Sequence, residues 1–332
     1  MSNKPKVAIC WLGGCGGCDE AIVDLNEALL GVADAVDIVL WPIALDFKYH
    51  HVRAMADGEI TLSIINGNVR NSEQEEIAKL LRAKSQLVIG FGACACFGGT
   101  PGMANFRTKE DIFNWVYKDA PTVVNPQGNI PQAVSNVDGK ELTLPEFYER
   151  VKTLKDVIKV DYFLPGCPPP PDLITNAITA TLENKLPLKG SALAPHKSLC
   201  DSCKRNATKP VKIKVSEIKR IHEIEASPDT CFLAQGVICM GIATRDGCGA
   251  SCININMPCR GCFGPVEGVQ DAALKMISTL AAIIDAETDK DIDKVVREVA
   301  DIAGYGYRFS LPDSILGELK QYRGKQGEQV GK

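Results

Sequence analysis

Fourteen cysteines in 332 residues are the chemically loaded feature of this chain. Cys15 and Cys18 lie in "GGCGGCDE", Cys94 in "GACACFGG" and Cys167 in "PGCPPPP". Eight more follow between residues 200 and 262: Cys200 and Cys203 in "CDSC", then Cys231, Cys239, Cys248 and Cys252, and Cys259 and Cys262 in "PCRGC". Four thiolates suit either a tetrahedral zinc or an iron–sulfur cluster. A disulfide framework is the weaker reading, because a chain this long buries enough core to need no staples and a reducing compartment keeps thiols free. The stretch "VAICWLGGCGGCDEAIVDLNEALLGVA" also has the strand, glycine turn and helix of a phosphate loop. It lacks the lysine and the serine or threonine of a P-loop, however, and it does not match the dinucleotide fingerprint.

The elements that must position these thiols are legible in the first half. Apolar runs at 6–12, 35–42, 60–66, 85–92 and 159–166 read as strands. Helical patterns fall between them at 19–33 and 72–84, and a further one at 171–186 follows the last strand. This alternation predicts an α/β, flavodoxin-like, doubly wound parallel sheet. Beyond about residue 190 the periodicity fades, so a flavodoxin-like domain over 1–190 and a cysteine-rich, largely irregular domain over 191–332 are expected. The patterns at 268–285 and 291–305 read as a closing helix pair, and the tail "KQYRGKQGEQVGK" reads as frayed. A net charge of −4 gives no broad field for nucleic acid, and no apolar run is long enough to span a bilayer. With no recognisable export signal at the start, a cytoplasmic protein is expected.

In an open parallel sheet the binding crevice lies beyond the carboxyl ends of the strands. Cys15 and Cys18 follow the first strand, Cys94 follows "LVIGFG" and Cys167 follows "DYFLPG". Three loops distant in sequence thus deliver four thiols to one edge, and their glycines permit close backbone approach to a bulky inorganic group. A sheet of this size needs no zinc to fold, which favours a [4Fe-4S] cluster here. Eight further cysteines are what two more four-cysteine clusters require, and we divide them as Cys200, Cys203, Cys231 and Cys239 in one and Cys248, Cys252, Cys259 and Cys262 in the other. Two zinc ribbons satisfy the same count, so a non-redox zinc scaffold stays open. Cys10 within a strand, and Cys96, read as small buried hydrophobes.

These motifs resemble the small subunit of [NiFe] hydrogenases. "GGCGGCDE", "GACACFGG" and "PGCPP" are similar to three segments of that family, and "CFLAQGVICMGIATRDGCGASC" and "MPCRGCFGP" extend the resemblance through the second half. The resemblance implies a proximal [4Fe-4S] cluster on Cys15, Cys18, Cys94 and Cys167, facing a NiFe centre in a separate large subunit. It names the Cys200 group distal and the Cys248 group medial. Many membrane-associated relatives carry histidine at the place of Cys200 and a proline one position from Cys252; cysteine here implies three [4Fe-4S] clusters. The chain is most similar to the cytoplasmic, F420-non-reducing (methyl-viologen-reducing) group. This implies electron transfer from hydrogen to an iron–sulfur acceptor subunit linked to heterodisulfide reductase. Small subunits of F420- or NAD(P)-reducing hydrogenases share much of the pattern. A complex I-type quinone oxidoreductase subunit would show adjacent paired cysteines and no eight-cysteine extension, and an FMN-binding flavodoxin would need its ligand at the thiol-lined edge.

Glu20 reads equally as a proton-handling group, as the family's Cys-x-Glu implies, or as a first-turn glutamate favoured by the helix dipole. Asp46 reads as an ordinary strand-end aspartate before an alternative cluster ligand, and His50 and His51 as surface residues or subunit contacts. The basic stretch at 204–222 reads as a solvated face, with a docking face for an electron acceptor the lesser alternative.

Overall fold

A computed structural model describes residues 4–317, so the expected frayed tail at 320–332 lies outside the described residues. Nine strands run among the described residues: β1 (Lys6–Trp11), β2 (Asp37–Leu40), β3 (Ile60–Asn66), β4 (Val69–Asn71), β5 (Ser85–Phe91), β6 (Val134–Val137), β7 (Lys140–Thr143), β8 (Phe147–Lys152) and β9 (Tyr162–Leu164). β2, β1, β3, β5 and β9 form one parallel sheet in that order, with β1 in the interior. This is the flavodoxin-like sheet expected from the sequence, and all five expected strands take part in it.

Period-two patterning explains its two covered faces. Ala8 and Cys10 of β1 point into one core with Ile77, Ala78 and Leu81 of the helix Ser72–Lys84. Val7 and Ile9 point into the other, with Ala21 and Ile22 of the helix Gly17–Val23 and Ile174 and Ala177 of the helix Pro171–Leu182. Strands buried on both faces read as continuous apolar runs, as "VAIC" of β1 does. The helix Ser72–Lys84 begins where expected because Asn71 and Gln74 form a reciprocal cap: Asn71 Oδ1 accepts from Gln74 N at 2.9 Å and Gln74 Oε1 accepts from Asn71 N at 3.2 Å.

Two helical expectations are corrected. The single helix expected at 19–33 is two, Gly17–Val23 and Glu27–Ala35, separated at Asn26, whose φ is 53°. Asparagine tolerates this left-handed region, and its amide donates to Asp24 O at 2.9 Å, so the turn competes with helix continuation. The closing pair is Ala272–Ile283 and Asp289–Glu298, followed by a separate short helix, Ile302–Gly306. Asp301 starts that last helix by accepting from Gly304 N at 2.8 Å.

Between residues 191 and 271 the chain makes only short helical turns and isolated bridges. Its apolar core, from Leu199 through Phe232 and Met240 to Met276 and Val295, includes Cys239 and Cys259. A smaller cluster of Ala273, Tyr307 and Leu311 packs against Met103 and Phe106, tying the C-terminal part to the sheet half.

The outer edge of the sheet is locked by a buried charge. Asp161, 2% exposed at its side chain, accepts from Arg82 at 2.6 Å, from Lys189 at 2.9 Å and from Val88 N at 2.9 Å. Burial alone would raise its pKa, but the bonds from Lys189, Arg82 and Val88 outweigh it and hold the carboxyl below its ordinary value. A carboxyl depressed in the folded state contributes stability above its unfolded pKa and loses it as pH falls through the lower folded value. Asp161→Ala should therefore cost about 1–3 kcal/mol in denaturant unfolding at neutral pH, because it leaves the buried Val88 amide without its acceptor, while Arg82 keeps its bonds to the carbonyls of Lys159, Ser85 and Gln86. The difference between wild type and Asp161→Asn should shrink as pH falls below the usual aspartate range.

Candidate metal centres

Register brings the first thiols together. Trp11 pairs with Asn66, Asn66 with Phe91, and Phe91 with Leu164, so β1, β3, β5 and β9 end level with one another. The chain leaving β1 carries Cys15 and then Cys18 on the helix Gly17–Val23; that leaving β5 carries Cys94 on the helix Gly92–Phe97; that leaving β9 carries Cys167, joined to Pro168 by a cis peptide bond. Ala93 N donates to Gly166 O at 2.6 Å, clipping the second loop to the third.

Two glycines show how tight the approach is. A Cβ on Gly92 would stand 2.3 Å from Cys18 Sγ, and one on Gly99 would stand 2.3 Å from Cys94 Sγ; their φ angles of 83° and 64° are also ones that side chains resist. The four thiols lie within electrostatic reach of one another. Burial, then Cys167 and Cys15, pushes Cys94 up to about 12; burial, then Cys94, Cys167 and Cys15, raises Cys18. Cys167 is raised by burial and then by Cys15.

The eight later thiols also stand near one another. Burial, then Cys239 and Cys231, pushes Cys200 up to about 12, with Cys203 also adjacent. Cys248 neighbours Cys252; Cys262 neighbours Cys248, Cys167 and Cys252; and Cys259 neighbours Cys239 first and then Cys262. The loops also touch: Cys262 accepts from the backbone N–H of Cys167, and Cys239 Sγ accepts from Cys259 N at 3.3 Å. Contacts between the thiol-bearing segments therefore run from Cys167 to Cys262 and from Cys259 to Cys239.

Backbone amides are aimed at several of these sulfurs. Cys239 accepts from Gly241 as well as Cys259, Cys248 from Ala250 and Ser251, and Cys259 from Gly261, with Thr244 bonded to its side chain. Burial raises each thiol, whereas these bonds favour the thiolate that metal ligation needs. Cys239, with burial dominant and two N–H donors opposing it, sits at about 11. Sulfur-rich sets of four, glycine cradles and N–H donors to sulfur fit iron–sulfur groups. Among the described residues, no three Cys, His, Asp or Glu side chains stand close enough to share one metal ion.

The remaining candidates separate clearly. Cys10 is buried in β1, and Cys96 is buried with its thiol donating to Gly90 O at 3.3 Å. Asp46 is exposed and ion-paired with Lys48. His50 and His51 are exposed, and Glu20 is exposed too.

The carboxylate that matters to this edge is Asp19, which the sequence reading did not single out. It is 1% exposed and accepts from Trp41 Nε1 at 3.0 Å and Asn66 Nδ2 at 2.8 Å, tying the Cys18 turn to the ends of β2 and β3. The one sequence signal that could have separated it from Glu20 is its place on the inward helix face with Ala21 and Ile22. In the basic stretch, Arg205 is 3% exposed, lies over the Phe232 ring at 3.9 Å and donates to Ser227 O, Thr230 O and Asn256 Oδ1.

The family described as NADH ubiquinone oxidoreductase, 20 Kd subunit, matches residues 15–181, which span the first four thiols. Over 94% of this chain and 97% of its own length, the F420-non-reducing hydrogenase iron-sulfur subunit of Archaeoglobus profundus is 41% identical. The chain belongs to the F420-non-reducing hydrogenase small-subunit family. Its counterpart in the F420-non-reducing hydrogenase of Methanothermobacter thermautotrophicus is 36% identical over 98% of this chain and all of its own length. A solved [NiFeSe] hydrogenase chain from Desulfovibrio vulgaris Hildenborough shares the fold, with a TM-score of 0.50, 15% identity, and coverage of 81% of this chain and 96% of that one. As a hydrogenase small subunit of the F420-non-reducing type, the chain is part of an oxidoreductase.

Substitutions at Gly92, Cys10 and Asp19 probe this edge. Gly92→Ala drives a methyl onto Cys18 Sγ and should lower the iron and sulfide content of the purified protein, measured by colorimetric analysis. Cys10→Ser should leave the iron count unchanged. Asp19→Ala leaves two buried donors unpaired and should lower unfolding stability by at least about 2 kcal/mol, with Asp19→Asn costing less.

Proposed function

We propose that this chain is the electron-transfer small subunit of a [NiFe] hydrogenase, holding three [4Fe-4S] clusters and relaying electrons from hydrogen to an acceptor subunit that feeds heterodisulfide reductase. The observation that carries it is the run of contacts that links the thiol-bearing loops, from Cys167 to Cys262 and from Cys259 to Cys239. Cys15, Cys18, Cys94 and Cys167 would hold the proximal cluster, Cys248, Cys252, Cys259 and Cys262 the medial one, and Cys200, Cys203, Cys231 and Cys239 the distal one. Bound there, each cluster supplies a one-electron couple whose potential depends on ligation, burial and hydrogen bonds to sulfur.

The chain's own residues do the positioning. Asp19 holds the Cys18 turn, Gly92 and Gly99 leave room beside two sulfurs, and amides from Gly241, Ala250, Ser251 and Gly261 favour thiolates. Cys15 is exposed at the edge of the sheet and suits the face toward a large subunit that carries the NiFe centre. We divide the chain at about residue 190, giving a proximal-cluster unit and a unit for the other two. No helix among the described residues is long and apolar enough to cross a membrane, and we place the complex in the cytoplasm.

Natively purified, anaerobic complex should contain about twelve irons per copy of this chain, a nickel-bearing partner subunit and hydrogen-dependent viologen reduction. Reduced samples should show interacting [4Fe-4S] signals in electron paramagnetic resonance. Zinc without iron would establish a scaffold instead, and an intact complex without nickel or viologen reduction would end the hydrogenase relay.

A further inference from the structure

A cleft of about 290 Å³ opens where Ile218–His222, at the end of the basic stretch, meets the C-terminal helices. Its wall includes Val237 and Ile238, just before Cys239, and Pro258 and Arg260, which flank Cys259. Tyr305 forms its floor: the phenol donates to Ile238 O at 2.5 Å, and Arg260 lies 5.1 Å from the ring centroid. Cys239, Cys259, Arg260 and Arg308 all act electrostatically on that phenol, so two guanidinium groups stand beside the thiols of the second and third groups.

The charges in this cleft are unevenly committed. Glu298 accepts from Ile218 N at 2.7 Å and faces Lys294, and Asp301 caps a helix through Gly304 N. Both carboxylates thus serve the fold. Lys219 is paired with Glu217. Arg260 and Arg308, both half-buried, and Arg220 and His222, both exposed, form no ion pair among the described residues. Half-buried guanidinium groups without a carboxylate are strong, geometrically selective sites for an oxyanion.

We infer that this cleft docks an acidic segment of the electron-accepting protein, with a partner carboxylate seated between Arg260 and Arg308. Charge complementarity favours this occupant, and so does position, since the cleft is open to solvent immediately beside Cys239 and Cys259. Opposite charges at such a face steer encounter and fix register. The inference rests on the electron-relay reading above and assigns its exit.

The test uses the natively purified complex carrying Arg308→Glu or Arg308→Lys. Retention of the acceptor subunit is followed by native gel and mass spectrometry, and binding of a fluorescein-labelled hexaglutamate peptide by anisotropy. Arg308→Glu should shed the acceptor subunit and weaken peptide binding by about tenfold or more, while Arg308→Lys should keep both. Arg220→Glu, at the exposed rim, should act in the same direction and serves if Arg308→Glu does not fold. Acceptor retention and peptide affinity at wild-type levels in the charge reversals would overturn the inference. So would inorganic phosphate binding the cleft while acceptor retention ignores both reversals, since the site would then serve a free anion. Hydrogen-dependent viologen reduction by the wild-type complex is read separately, so failure of the relay reading is distinguishable from failure of the docking site.

Discussion

Everything in this molecule depends on four strands ending level. Parallel pairing places all carboxyl ends on one side, and the register from Trp11 through Asn66 and Phe91 to Leu164 leaves no strand overhanging its neighbour. Loops that are more than 70 residues apart in sequence then start side by side. A staggered sheet with the same loops would scatter the thiols. The buried Asp161 ion pair and the Asp19 bonds reinforce this edge from opposite ends, one at the foot of β5 and β9 and the other at the tips of β2 and β3.

Crowding sulfur atoms has an electrostatic cost that the local backbone reduces. Burial and mutual repulsion push Cys94, Cys200 and Cys262 up to about 12, which favours the neutral thiol. Amide donors oppose this at Cys239 and Cys248, two N–H groups each, and at Cys259, where the Gly261 amide and the Thr244 side chain approach the sulfur.

The basic stretch illustrates how one run of charge can hold several roles. Arg205 is a buried strut over Phe232, Lys214 and Lys219 are paired with nearby carboxylates, and the end of the run borders the cleft beneath Arg260 and Arg308. Sequence spacing does not separate these roles, because each depends on what another part of the chain brings alongside.

Local patterning and cysteine spacing by themselves determined the five strands, the helix Ser72–Lys84, the edge on which the first thiols meet and the irregular character of the second half. Strand periodicity, capping chemistry and glycine turns are short-range signals, so they survive in one dimension. The break at Asn26 and the choice of Asp19 over Glu20 were decided only by tertiary structure. Asp19 is set apart because Trp41 and Asn66 converge on it from other strands. The contacts between thiol-bearing segments, Cys167 to Cys262 and Cys259 to Cys239, belong to the same class: they join segments whose approach is fixed by packing of the whole chain.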